Sequence, residues 1–140
     1  MLARRPFLAA SLLAATPLTA CGQDPPWHNV DVSGTFPPLA FDMERAGDAK
    51  EVTAADYRGR VALLYFGYTN CPDVCPTTLS NMATVFKDLG PAASGITFFF
   101  VTVDPNRDTL SVLARYVALF SPDFVGLRGT PNQLATLARR

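Results

Sequence analysis

The sequence predicts an α/β domain built around a parallel βαβ unit. Two apolar, β-prone runs support this, at residues 61–66 and 96–103, the second with Phe98, Phe99, Phe100 and Val101 consecutive. Runs without polar alternation mark strands buried on both faces, as in a parallel sheet covered by helices. Between the runs, Leu79, Met82, Ala83, Phe86 and Leu89 recur at helical spacing, and Gly90-Pro91 ends the pattern. A helix joining two such strands is the crossover of a βαβ unit.

The remaining elements follow in order. Residues 21–27 are polar and Pro-rich and suit a tether. Residues 29–34 are expected as a short strand or extended piece. Residues 36–41 contain Pro37 and Pro38, which confine them to an edge or loop. Residues 41–47 read as a strand ending in a turn, and 53–57 as a brief helical turn leading through Arg58-Gly59-Arg60 into the first core strand. After the second core strand, Leu110, Leu113, Ala114, Val117 and Phe120 form the stripe of a second helix, capped by Asp108 or Thr109 and closed by Ser121-Pro122. Residues 124–127 are a short strand candidate. Thr130-Pro131-Asn132-Gln133 carries a capping box with Pro at the first helical position, and opens a last helix through Leu134 and Leu137. The pattern is still helical at Arg140, with no cap, stop signal or following strand. The expectation is a domain that stops early and leaves a sheet edge unpaired, such as 96–103 or whichever strand lies outermost.

Composition limits the function classes. The chain has 140 residues, 49% of them hydrophobic, which suits one small packed domain and excludes overall disorder. Residues 1–20 read as a signal peptide, with Arg4 and Arg5 as its positive start. Its apolar stretch, 7–15, is short of the about 20 residues a membrane span needs. Leu18-Thr19-Ala20-Cys21 resembles a bacterial lipobox, in which the cysteine is lipidated and becomes the first mature residue. The plainer alternative is an ordinary signal peptide cut near a cysteine. Three cysteines is an odd count for an exported protein, and assigning Cys21 to a lipid leaves Cys71 and Cys75 as one pair. The expected organisation is signal peptide 1–20, tether 21–28 and domain 29–140. Residues 21–140 carry ten basic and twelve acidic residues, with no basic patch and no interleaving of aromatic and basic residues, which argues against a nucleic-acid partner.

Cys71 and Cys75, with three residues between them, lie where the first core strand passes into the helix. The positive end of a helix dipole favours thiolate, the reactive form in disulfide exchange and the binding form for a soft metal. Three readings follow. A static disulfide would close so short a loop that chain entropy adds little. A thiol-disulfide enzyme of the thioredoxin type would ordinarily have two intervening residues. A soft-metal site would bring both sulfurs onto one Cu(I), ideally with a third ligand such as His.

The segment Tyr65-Phe66-Gly67-Tyr68-Thr69-Asn70-Cys71-Pro72-Asp73-Val74-Cys75-Pro76-Thr77-Thr78-Leu79 resembles the core motif of the Sco/SenC family. The resemblance extends to Asp31-Val32-Ser33-Gly34, Asp56-Tyr57-Arg58-Gly59, Val103-Asp104-Pro105 with Arg107-Asp108-Thr109, and Gly126-Leu127 with Gly129-Thr130-Pro131. It implies a thioredoxin-like fold with an N-terminal extension, here without the family's C-terminal strands and helix. It also implies a copper chaperone with thiol-disulfide redox activity rather than a turnover enzyme. The implied location is the periplasmic, outer face of a bacterial inner membrane, held by a lipid anchor. The implied partners are the copper-bearing subunit of cytochrome c oxidase and other periplasmic copper or thiol-redox proteins. The cargo is Cu(I), with Cu(II) as a second state.

In the family, copper is held by the two motif cysteines, matching Cys71 and Cys75, and by a histidine near the C-terminal end of the domain, which has no counterpart here. His28, the only histidine, lies in the tether and reads as solvated. Asp73 reads as a helix cap rather than a ligand, because carboxylate oxygen suits Cu(I) poorly. Asp104 resembles an acidic residue of the family, and its simplest role is to form the turn before Pro105. The rival from another class is an exported thiol-disulfide oxidoreductase without a metal role. A peroxidase of the peroxiredoxin type lacks its Thr-x-x-Cys pattern here, and a pure binding module is the remaining alternative.

Overall fold

Phe98, Phe99, Phe100 and Val101 lie on an interior strand of a five-stranded sheet. In chain order the strands are β1 (Asp42–Arg45), β2 (Glu51–Thr53), β3 (Val61–Gly67), β4 (Ile96–Thr102) and β5 (Val125–Arg128), and they lie side by side as β2-β1-β5-β4-β3. The structure is a computed structural model that describes Val30 and residues 32–139. The fold lies in the compact unit that begins at Ser33. β3, β4 and β5 are mutually parallel, with Val61 opposite Ile96 and Phe99 opposite Val125. β1 runs antiparallel to both β5 and β2.

The helices are α1 (Val74–Leu89), α2 (Leu110–Ala118) and α3 (Pro131–Ala138). The crossovers β3–α1–β4 and β4–α2–β5 step the same way across the sheet, so the common handedness of such connections puts both helices on one face. Cys75, Leu79 and Phe86 of α1 share a core with Leu113 and Val117 of α2 and with Phe98 and Phe100 of β4. The two-residue period of a strand turns Phe99 and Val101 to the other face. There they pack with Phe41, Met43, Val52 and Leu127, under Leu137 of α3.

Local chemistry sets the ends of these elements. Gly90 closes α1 at φ +54°, a backbone conformation that glycine adopts without a Cβ penalty. Thr109 caps α2 by accepting from the Val112 N–H at 3.4 Å. α3 opens on a reciprocal box: the Gln133 N–H donates to Thr130 Oγ at 3.3 Å, and the Thr130 N–H to Gln133 Oε1 at 2.7 Å. Gly126 lets α2 approach β5, because a Cβ there would stand 2.8 Å from Leu113 Cγ.

Several expectations need correction. Ser33 to Thr35 form a turn where an extended piece was expected, and Asp31 lies outside the described residues. β2, three residues long, carries too short a pattern to read alone. Phe120 falls in the turn after α2, which ends at Ala118. The 96–103 run does not lie at an edge: β4 is flanked by β3 and β5, and the outer strands are β3 and β2. β3 is accordingly not buried throughout, with Val61 58% and Phe66 39% exposed.

Candidate two-thiol site

β3 ends at Gly67 and α1 begins at Val74, so residues 68–73 carry the chain from the sheet to the helix layer. Cys71 lies in that connection and Cys75 in the first turn of α1. Both are free thiols, Cys71 8% and Cys75 3% exposed. The Cys75 N–H donates to Cys71 Sγ across 3.4 Å, and the Cys71 N–H donates to the Tyr68 carbonyl at 3.3 Å. The first bond aims one of the unpaired donors of the α1 N-terminus at sulfur, which directs the positive end of the helix at Cys71.

The two thiols therefore differ. Cys71 is held below the ordinary cysteine range, first by the Cys75 side chain and then, against burial, by the Cys75 and Asp73 N–H groups and the Tyr68 hydroxyl. Cys75 is pushed up, first by burial and then by Cys71. The two cysteines, read alike from sequence, are thus pushed in opposite directions. Cys75 sits within the helix, with its side chain in the core beside Leu79 and Phe100. Gly67 makes room for it: a Cβ there would come within 2.8 Å of the Phe100 ring and 3.1 Å of Cys75 Sγ.

Three tyrosines surround the pair. The Tyr65 side chain interacts with Cys75 and the Tyr68 side chain with Cys71. The Tyr68 phenol is pushed up, chiefly by negative charge on Cys71. Tyr116 on α2 rests on Phe100 with ring centroids 5.4 Å apart, and its hydroxyl is buried without a hydrogen-bond partner among the described residues. Burial, then thiolate charge, pushes that phenol up to about 12.

The acidic candidates divide differently from expectation. Asp73 stands at the N-cap position of α1, but its side chain makes no capping bond. Only its carbonyl takes part, accepting from the Thr77 N–H at 3.2 Å. Asp104 does form the turn, its carbonyl accepting from the N–H groups of Arg107 and Asp108, and its carboxylate pairs with Arg107. Asp108, read from sequence as an alternative cap for α2, is 1% exposed. Its carboxylate accepts from the Thr69 N–H at 2.9 Å, Thr69 Oγ at 2.6 Å and Thr102 Oγ at 2.5 Å. Sequence reasoning missed this role. The available signal was a second Asp four residues after Asp104, with the cap already supplied by Thr109.

Among the described residues, no group of three or more His, Cys, Asp and Glu side chains is placed to hold one metal ion. The donors at this site are two sulfurs. Cys21 and His28 lie outside the described residues, as do the signal peptide and tether expected over 1–28. No described helix is long and apolar enough to cross a membrane. A cleft of about 670 Å³ lined by Arg60, Phe86, Lys87 and Thr97 lies at the opposite end of β3 and β4 from the thiols.

A parallel βαβ unit whose strand-to-helix connection carries a cysteine pair, flanked by antiparallel strands, defines a thioredoxin-like protein with a dithiol site. The family model described as SCO1/SenC matches residues 41–140, and the chain belongs to that family. It is 45% identical over 87 residues to the mitochondrial protein SCO2 homolog of Bos taurus, covering 61% of this chain and 33% of the relative. It is 39% identical over 97 residues to the SCO2-like protein of Rickettsia felis, covering 69% and 47%. The chain thus spans about a third to a half of the length of these curated relatives. The structure of Bradyrhizobium japonicum ScoI with copper bound superposes with a TM-score of 0.66 at 36% identity, over 71% of this chain and 63% of that one.

Proposed function

We propose that this chain is an exported copper-handling protein in which Cys71 and Cys75 bind Cu(I) when reduced and cycle through a reversible disulfide. One observation carries the reading: two buried thiols sit side by side at a helix start, with the Cys75 N–H on Cys71 Sγ at 3.4 Å. Thiolates select soft metals, and two sulfurs fall short of the four protein ligands usual for structural zinc. The similarity to a copper-bound ScoI supports the same cargo. The third donor then comes from outside the described site: solvent, a partner, or a segment beyond these residues. Of the two thiols, Cys71 is the more acidic and serves as the attacking group in exchange. Cys75 is the thiol that closes the disulfide.

Lipidation of Cys21, with residues 21–28 as a tether and residues 29–140 as the domain, places that chemistry at the outer face of the cytoplasmic membrane. The client implied by the family resemblance is the copper-bearing subunit of cytochrome c oxidase, with other exported copper or thiol-redox proteins as donors and reductants. The reading without metal, a thiol-disulfide oxidoreductase, rests on the same pair.

Three measurements test the proposal. Thiol trapping across graded redox buffers should show one two-electron transition. A pair that resists strong reductant removes the redox half. Competition with a Cu(I)-chelating dye should show stoichiometric binding that Cys71→Ala and Cys75→Ala each abolish. Copper retained by the double variant would falsify the metal site. Cys21→Ser should lose the membrane-bound pool, and unchanged fractionation rejects the anchor.

A further inference from the structure

We infer that Asp108 is a positioning residue for the two-thiol site, acting through Thr69. The inference rests on the function proposed above. Asp108 lies 33 positions after Cys75 in sequence and belongs to the connection between β4 and α2. Its carboxylate nevertheless reaches the thiol connection. One oxygen, Oδ2, accepts from the Thr69 N–H and from Thr102 Oγ, and the other, Oδ1, accepts from Thr69 Oγ. Thr69 is two residues before Cys71, and Thr102 is the last residue of β4. The carboxylate thus joins the connection that carries Cys71 to the end of β4.

The carboxylate's own position is set from behind. The Asp108 N–H donates to the Asp104 carbonyl at 2.9 Å. The Pro105 carbonyl accepts from Arg128 Nε at 3.0 Å, while Arg128 Nη1 reaches Glu44 on β1 at 3.0 Å. The turn bearing Asp108 is therefore braced against β5 and β1, so the clamp on Thr69 is backed by the sheet. A buried carboxylate that receives three donors is costly to lose, because each donor is then left unpaired. At this place the loss falls on the segment that sets the Cys71–Cys75 geometry. Partners that orient ligands without touching the metal commonly contribute to affinity. Close approach of two thiols also governs how readily they close a disulfide.

The test uses the 140-residue chain and compares Asp108→Asn, Thr69→Val and the double variant with the wild type. Asparagine keeps the shape but places an amide donor against the Thr69 or Thr102 donors. Valine at 69 keeps the backbone N–H bond and removes only the hydroxyl bond, so it probes the clamp even if Asp108→Asn fails to fold. The readouts are Cu(I) affinity by competition with a chelating dye and the thiol-disulfide equilibrium constant against glutathione. Each single variant is expected to lower Cu(I) affinity by about tenfold, the lower end for supporting partners. Each is also expected to lower the disulfide equilibrium constant several-fold, and the double variant should fall short of the product of the single effects. A folded variant with reduced Tm but wild-type copper affinity and exchange equilibrium makes Asp108 a stabilising residue only and overturns the inference. So do fully multiplicative single effects. A wild-type chain that neither binds Cu(I) nor forms the disulfide rejects the proposed function instead, which separates the two failures.

Discussion

β3 and β4 read alike in sequence, lie side by side in parallel register from Val61–Ile96 to Gly67–Thr102, and have different surroundings. β4 has a strand on each side, and all but Ile96 of its residues are buried. β3 has a single hydrogen-bonded neighbour among the described residues, and both Val61 and Phe66 are exposed. Yet β3, the less protected strand, delivers the thiols. The difference teaches that the site is built outward from a rigid centre. β4 supplies the Phe100 ring and the Thr102 hydroxyl on which the β3 connection is positioned. Local openings concentrate where buried contacts are few, so the outer strand β3 is expected to open before β4.

The largest contrast should come from truncating one aromatic on each strand. Phe99 is fully buried, meets Phe41 and Tyr57 edge-on at 5.5 and 4.7 Å, and lies at the middle of the second core. Phe99→Ala should cost about 3–5 kcal/mol in denaturant unfolding, as for other aromatic deletions from cores. Phe66→Ala on β3 should cost about 1 kcal/mol, because much of that ring is already in water. Equal costs would mean that β3 is covered as fully as β4.

A smaller effect is expected where the two strands meet the thiols. Gly67→Ala sets a methyl against the Phe100 ring at 2.8 Å and Cys75 Sγ at 3.1 Å. The ring is itself packed, so the variant should lose about 1–3 kcal/mol, as in overpacked cores. It should also weaken Cu(I) binding, whereas Phe66→Ala should leave binding unchanged. A Gly67→Ala protein with wild-type stability and copper affinity would show that β3 yields freely at its end.

The smallest effect probes the helix-facing side of β4. Tyr116 covers Phe100, and its buried hydroxyl has no partner among the described residues. Tyr116→Phe should leave stability unchanged or raise it by about 0.5–1 kcal/mol, since an unpaired buried hydroxyl contributes only a desolvation cost. Ultraviolet titration should show one phenol ionising near pH 12, pushed up by burial and thiolate charge, and lost in the variant. A destabilisation above 1 kcal/mol would reveal a partner for that hydroxyl.

Much of this was legible in the sequence because it depends on local rules. Consecutive apolar residues marked β3 and β4, period and punctuation marked the helices, and the Thr130–Gln133 box and Gly90 stop fell where expected. The cysteine pair at the strand-to-helix passage and the family it indicates were also readable, since both lie in one short stretch. Tertiary structure alone decided which apolar run is interior and which lies at the edge, because strand order depends on pairing between distant segments and not on the composition of either. It alone made Asp73 idle as a cap and Asp108 a buried acceptor for Thr69, a pairing across 39 positions. It alone separated the two thiols, because the Cys75 side chain and then the N–H groups at the helix start favour thiolate at Cys71, while burial disfavours it at Cys75. Periodicity and caps are short-range and legible in sequence, whereas burial and hydrogen-bond partnership depend on what the folded chain brings near.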